Sequence, residues 1–466
     1  MTKLSFATAL LLGTAVFATA ADDLASAFKE GKFDGRIRAQ YFNTDWDDNS
    51  VKKTDAHGLA VGGSLIYKTA SLSGFSLGTG LYTTQNPGGW THIPDGTWAS
   101  TSSDLYSRDS YDVNKTTTAK DPYGKGYAVL AQAYLEYNMV KTKVKTGRML
   151  MTNPWINPND TKMIPIAIEG ADIVSNDIVN TTIQLDYARK IKERGMSYFG
   201  NMADGLDVPN AIRLKYNTHY NAQNKEINTD APAVVIAGIK NKSIDGLELQ
   251  AWGMRWNDIV SQATLEANYA LEAGDVILGF GGRYIKQYDK GTGNIIKPMV
   301  SNGDSDNNID SSLWALRVTA NYRAAKLLLS TAQTSNDGDL IAPWRGFPTD
   351  GYTRSMTITD WNANTKSYKA LIDYDFNQYV SGLNTIVSYS YYNRDPSKTP
   401  YASATDRGFA NGDTRQWNLD MIYKLAESFK GTELKARFMD QNNEPTTLAT
   451  AQTSNREMRL EANYRF

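Results

Sequence analysis

Met458, Leu460, Ala462, Tyr464 and Phe466 take alternate positions in the closing segment REMRLEANYRF, and Arg459, Glu461, Asn463 and Arg465 fill the positions between them. Successive side chains of a strand point to opposite faces, so a segment of this kind stands between an apolar medium and water. The same period of two begins at Gly35, where Ile37, Ala39 and Tyr41 alternate with Arg36, Arg38 and Gln40. It recurs in Leu59/Val61/Leu65/Tyr67, Ala133/Leu135/Tyr137, Trp314/Leu316/Val318/Tyr322 and Trp417/Leu419/Met421/Tyr423. Strands that face lipid must close on themselves, because an open edge leaves backbone N–H and C=O groups without partners.

The connections carry the same message. Short ones fall at 69–74, 138–141, 241–246, 271–274, 323–326, 377–383 and 425–431. Between them lie mostly long polar segments, at 44–57, 85–126, 151–170, 287–311, 335–365, 395–413 and 441–455. Short turn alternating with long loop predicts an all-β, transmembrane, antiparallel up-and-down β-barrel of about 18 strands, with 16 the nearest alternative. Two places strain the count: the segment 195–202 is weak as a strand, and the connection 257–260 is short where a long one is expected. An even count puts both termini on the periplasmic side, with turns inside and loops outside.

Met1–Ala21 supplies the compartment. Lys3, a short apolar run from Leu4 to Phe17 and the small residues Ala18–Ala20 form the pattern of a secretory signal peptide. Residues 22–34 then read as a short periplasmic segment with a helical turn, and 35–466 as one barrel domain. No apolar run is long enough for a spanning helix, and the mean hydropathy of −0.46 does not argue against a barrel, which needs only alternate apolar residues. The chain has no cysteine, hence no disulfide framework, and a net charge of −1 gives no reason to expect nucleic acid. Its 27 tyrosines and 10 tryptophans suit the aromatic girdles of an outer-membrane barrel.

Three stretches bear a family likeness. TKVKTGRMLMTNPWINPNDTKMIPIAIEGADI (Thr142–Ile173) resembles the strand and third loop of OprD-type outer-membrane porins. RGFPTDGYTRSMTITDWNANTKSYKALIDYDF (Arg345–Phe376) resembles the seventh loop of that family, and LASAFKEGKFDGRIRAQYF its N-terminal segment. The resemblance implies an 18-stranded passive diffusion channel for small hydrophilic solutes, not an enzyme. It also implies a third loop near 151–170 folded inward as a constriction, and a row of basic side chains that draws carboxylate-bearing solutes. Lipid, lipopolysaccharide, the barrel-assembly machinery at the C-terminal strand and a homotrimer are the partners expected of such a protein.

Parity assigns the lumen. Arg36, Arg38, Lys143, Lys145, Arg317, Lys369, Lys435, Arg437, Arg459 and Arg465 should face the water, as should Glu136, Asp186, Asp373, Asp375, Asp420, Glu433 and Glu461. Closure would gather Arg36, Arg38, Lys435, Arg437 and Arg459 on one wall. The inward loop, stiffened by Pro154, Pro158 and Pro165, would bring Asp160, Lys162 and Glu169, with Arg148 at its base, against that wall. A field across such a constriction sorts solutes by charge without covalent chemistry.

The remaining signals are weaker. The run Asp304–Asp310 has the oxygen density of a calcium loop but lacks the glycine and terminal glutamate of an EF-hand, and reads as a solvated loop; no other cofactor is suggested. His57, His92 and His219 lie far apart without metal-ligand spacing. A barrel enzyme would need a nucleophile beside His57 or His92, and none is marked. An adhesin would exploit the long loop 85–126.

Overall fold

The computed structural model describes residues 21–47, 55–92, 105–107, 125–202, 232–257, 259–289, 310–342, 344–357, 361–395, 398, 412–444 and 454–466. Residues 1–20 of the expected signal peptide 1–21, His219 and all of the acidic run except Asp310 lie outside the described residues. Strands follow one another as β1 (Lys32–Trp46), β2 (Ala56–Lys68), β3 (Phe75–Gln85), β4 (Tyr127–Met139), β5 (Thr142–Met149), β6 (Ala167–Ser175) and β7 (Thr181–Lys192). Next come β8 (Gly200–Asn201), β9 (Val234–Ile244), β10 (Leu247–Trp256), β11 (Val260–Ala273), β12 (Val276–Asp289) and β13 (Ser311–Tyr322). The last are β14 (Ala325–Thr334), β15 (Lys366–Asp375), β16 (Leu383–Asn393), β17 (Thr414–Lys424), β18 (Thr432–Asn443) and β19 (Asn455–Arg465).

All of them belong to one 19-stranded sheet, every paired ladder antiparallel to its neighbour, and β1 pairs with both β2 and β19, so the sheet is closed. Only β8 fails to span: its two residues pair with the end of β7, and β7 then pairs directly with β9. Nineteen less that one leaves the expected 18 spanning strands. The segment 195–202 was weak as a strand because only Gly200 and Asn201 join the ladder. β10 ends at Trp256 and β11 begins at Val260, so the connection is as short as the sequence makes it. A further short turn, 176–180 between β6 and β7, escapes the sequence pattern. β1 starts at Lys32, three residues before Gly35, and α1 (Leu24–Lys29) forms the expected helical turn, capped by Asp23, whose carboxylate accepts from the Ser26 N–H at 2.7 Å.

Burial is inverted relative to a water-soluble protein. Ile37 is 58% exposed and Leu316 54%, whereas Arg36 is 6% exposed and Gln40 0%. Apolar side chains that no protein covers belong to the lipid face. Aromatic pairs mark both ends of the apolar band. Phe75–Tyr137 (4.4 Å between centroids) and Phe33–Tyr67 (4.6 Å) lie near the turns, and Tyr389–Trp417 (4.7 Å) lies toward the loops.

The C-terminal aromatic closes the seam. Phe466 exchanges both backbone hydrogen bonds with Gly35, at 2.9 and 3.0 Å, and its ring covers the place where a Gly35 side chain would begin. Glycine at 35 is therefore what allows the last ring to lie flat on the first strand.

Candidate functional site

The third loop, 150–166, crosses the bore. At one end Asn153 Oδ1 accepts from the Trp155 and Ile156 N–H groups at 3.0 and 2.8 Å, which folds the loop into a compact neck. Trp155 Nε1 donates to Gln262 Oε1 on β11, and Trp155 and Ile156 are buried with Ile191, Ile236, Trp252, Trp256 and Trp344. At the other end Asp160 meets β1. Its carboxylate accepts from Arg36, with a second contact at 3.1 Å, and from Arg38 at 2.9 Å. Leaving β8 aside, β1 and β11 stand opposite each other in the strand order, nine steps apart in either direction. A loop that is held on both therefore spans the channel.

The polar wall beside Asp160 is buried although it is charged. Arg36 and Arg38 are 6% and 4% exposed, and Arg38 also donates to Asn463 at 2.6 Å. Lys162 sits 4.0 Å from the centre of the Phe42 ring, and Arg459 lies 5.0 Å from the same ring while donating to Glu457 at 2.5 Å. Two cations against one aromatic ring, with carboxylates alongside, fix side chains that would otherwise sweep the lumen. Arg437 pairs with Asp420 at 2.8 Å, and Lys435 lies opposite Glu461 in the ladder.

The seventh loop, 335–365, supplies a second layer that the sequence marked only by its family likeness. Gly346 N–H donates to the Trp155 carbonyl at 2.9 Å and Asn157 N–H to the Trp344 carbonyl at 3.1 Å, so the two loops meet as a short antiparallel crossing. Arg345 is tied to Glu193 at 2.6 Å, both 6% exposed. Tyr352 is held between Arg283 (4.8 Å) and Arg317 (4.7 Å), with its hydroxyl 3.3 Å from Glu266. Burial first, and the Glu266 charge second, push the Tyr352 phenol up to about 12, so it stays a neutral donor. Arg354 is ion-paired with Asp350 at 3.2 Å, and Lys369 donates to its carbonyl at 2.6 Å. Burial lowers the Arg354 pKa and the Asp350 charge opposes this.

Some expected site residues lie elsewhere. Glu169 and Arg148 are not on the constriction loop: they pair at 3.3 Å on β6 and β5, in the ladder row of Ala133, which has the parity of the lipid-facing Leu135. Lys145 is 3.6 Å from Glu136 in a cluster with Lys68, toward the turns, and Lys143 is exposed one step further on. Arg317 faces the lumen but belongs to the Tyr352 group, 3.8 Å from Glu266 and donating to the Gly351 carbonyl at 2.9 Å.

Comparison with known proteins fits this geometry. The family model for the outer membrane porin, OprD family, matches residues 27–466. The chain belongs to the OprD family of outer-membrane porins. It is a passive diffusion channel of the outer membrane, in a family of channels rather than enzymes. No curated protein matches it. Among solved structures it is similar to OpdK of Pseudomonas aeruginosa with vanillate, at 14% identity and a TM-score of 0.70 over 94% of this chain and 99% of that one. OccK2 (OpdF) of the same organism in complex with glucuronate gives 14% and 0.68 over 95% and 99%. OccAB3 of Acinetobacter baumannii gives 18% and 0.71 over 94% and 99%. At these identities the likeness speaks for the fold.

Proposed function

We propose that this OprD-family porin favours small solutes that carry a carboxylate, sorted where the third and seventh loops cross the bore. One observation carries the reading: a third loop anchored on opposite walls narrows the bore, and the half-buried cations Arg354, Lys369 and Arg437 stand together beside it, while the buried Arg36 and Arg38 add their charge from behind. Guanidinium groups offer planar pairs of donors that match a carboxylate. The two structural relatives with vanillate and with glucuronate hold solutes of this kind. Export by the leader and insertion through the C-terminal strand belong to the same reading. Lipopolysaccharide around the apolar face and a homotrimer belong to it too, and cross-linking in intact membranes would show the trimer.

In a planar bilayer, glucuronate or benzoate is expected to reduce the open current, while glucose at the same concentration leaves it nearly unchanged. Arg437→Gln removes one cation and leaves Asp420 without it, and should weaken the block about fivefold, as about 1 kcal/mol of Coulomb energy implies. Equal block by glucose, or block untouched in Arg437→Gln, would refute the carboxylate preference and leave the barrel itself unquestioned.

A further inference from the structure

The sequence holds three histidines, and the fold brings two of them together. His57 is the second residue of β2, and His92 lies in the second loop, yet the two exchange both backbone hydrogen bonds, at 2.9 and 2.8 Å, as an isolated antiparallel bridge. Residues opposed in such a pair show their side chains on the same face. Their imidazole centroids are 5.8 Å apart, at an interplanar angle of 39°. Across the sheet on the other side, His57 lies opposite Asn43, so the row reads His92, His57, Asn43 on the outward parity, next to the Tyr41 ring at 6.4 Å from His57.

We infer that His57 and His92 form a two-imidazole site for a borderline transition-metal dication such as Zn2+ or Cu2+, at the loop end of the barrel. Imidazole nitrogen is the side-chain donor these ions share. A tetrahedral ion bound at 2.0–2.1 Å to one nitrogen of each ring holds the ring centres about 5 Å apart. The remaining gap from 5.8 Å closes by a small rotation about the Cα–Cβ bond of each side chain within its rotamer well, while the terminal torsion, broad for histidine, turns the nitrogens inward. Among the described residues no three carboxylate, thiolate or imidazole groups converge, so the coordination is completed by water, with the Asn43 amide as the nearest oxygen along the row. Such an ion is exchangeable and pins the described start of the second loop to β2.

The test uses the full-length protein in detergent without a histidine tag. Zn2+ titrated by calorimetry should show one saturable site per chain, and Cu2+ should give an electron paramagnetic resonance spectrum with two equatorial imidazole nitrogens. Outer-shell partners of metal ligands are already worth about 10–100-fold in affinity, so His57→Gln or His92→Gln alone should weaken binding by at least that much. His219→Gln should leave it unchanged. Folding of each variant is checked by its unaltered single-channel conductance. No saturable binding in the wild type, or binding that survives both His57→Gln and His92→Gln, overturns the inference.

Discussion

Asp160→Asn should raise the anion-over-cation permeability ratio about fivefold at low salt. Asp160 is the carboxylate that both Arg36 and Arg38 grip, and the three together carry one net positive charge. Removing the carboxylate leaves two. One unit charge felt by a passing ion at about 8 Å through the water of the bore, with a dielectric of about 80, is worth about 0.5 kcal/mol, favourable for an anion and unfavourable for a cation, so the ratio shifts by about 1 kcal/mol, or about fivefold. Mobile ions screen charges beyond about 10 Å at 0.1 M salt, so the effect should shrink as salt is raised. A second consequence is mechanical. Two buried guanidinium groups lose their partner, and breaking such a pair typically costs about 3–5 kcal/mol. The tip of the third loop is then free of β1, and the open current should become noisier. Reversal potentials at two salt concentrations read both the size and the screening; an unchanged ratio would mean that Asp160 does not stand at the selective point.

The larger change in conductance is expected from Gly346→Val. A Cβ at this position would sit 2.2 Å from the Pro154 carbonyl oxygen and 2.3 Å from Trp155 Cα, both backbone atoms that have no rotamer to escape by. The crossing must open. It would lose the Gly346–Trp155 and Asn157–Trp344 hydrogen bonds, each worth about 0.5–1.5 kcal/mol, and strain the buried Arg345–Glu193 pair beside them. The strand ladders do not depend on these contacts, so the barrel should still insert and resist heat in detergent. Single-channel steps should become larger and block by carboxylates weaker. Gly253→Val is the matched control, since nothing lies within 4 Å of its Cβ position. Equal conductance for both variants would show that the crossing does not limit the current.

The barrel was legible because its physics is local. Whether Ile37 or Arg36 faces lipid depends only on parity, and whether a connection is a turn or a loop depends on length and residue type, so strand count and closure follow without any long-range knowledge. The bore is a different problem. Asp160 could be placed opposite Arg36 and Arg38 because closure and an inward loop leave few other walls for it. Arg148 and Glu169 were misplaced for an equally physical reason: β5 runs to Met149 and β6 begins at Ala167, so the ladder claims residues that the loop seemed to own. Trp344, Arg345 and Gly346 meet the third loop through contacts that have no period at all. Gly346, the first of the two glycines in RGFPTDGYTR, is the visible signal there, since a backbone approach this close tolerates no side chain. His57 and His92 were hidden likewise, by a loop that returns to pair with the strand it had left far behind.

The most direct test is the reversal potential of the wild-type channel under a potassium chloride gradient at low salt. A water-filled bore crossed by a loop whose surroundings are richer in arginine and lysine than in carboxylate predicts a potential of the sign set by chloride, falling toward zero in the Arg38→Gln, Arg437→Gln double variant. A potential of the sign set by potassium, or no conductance at all from correctly folded protein, would contradict it.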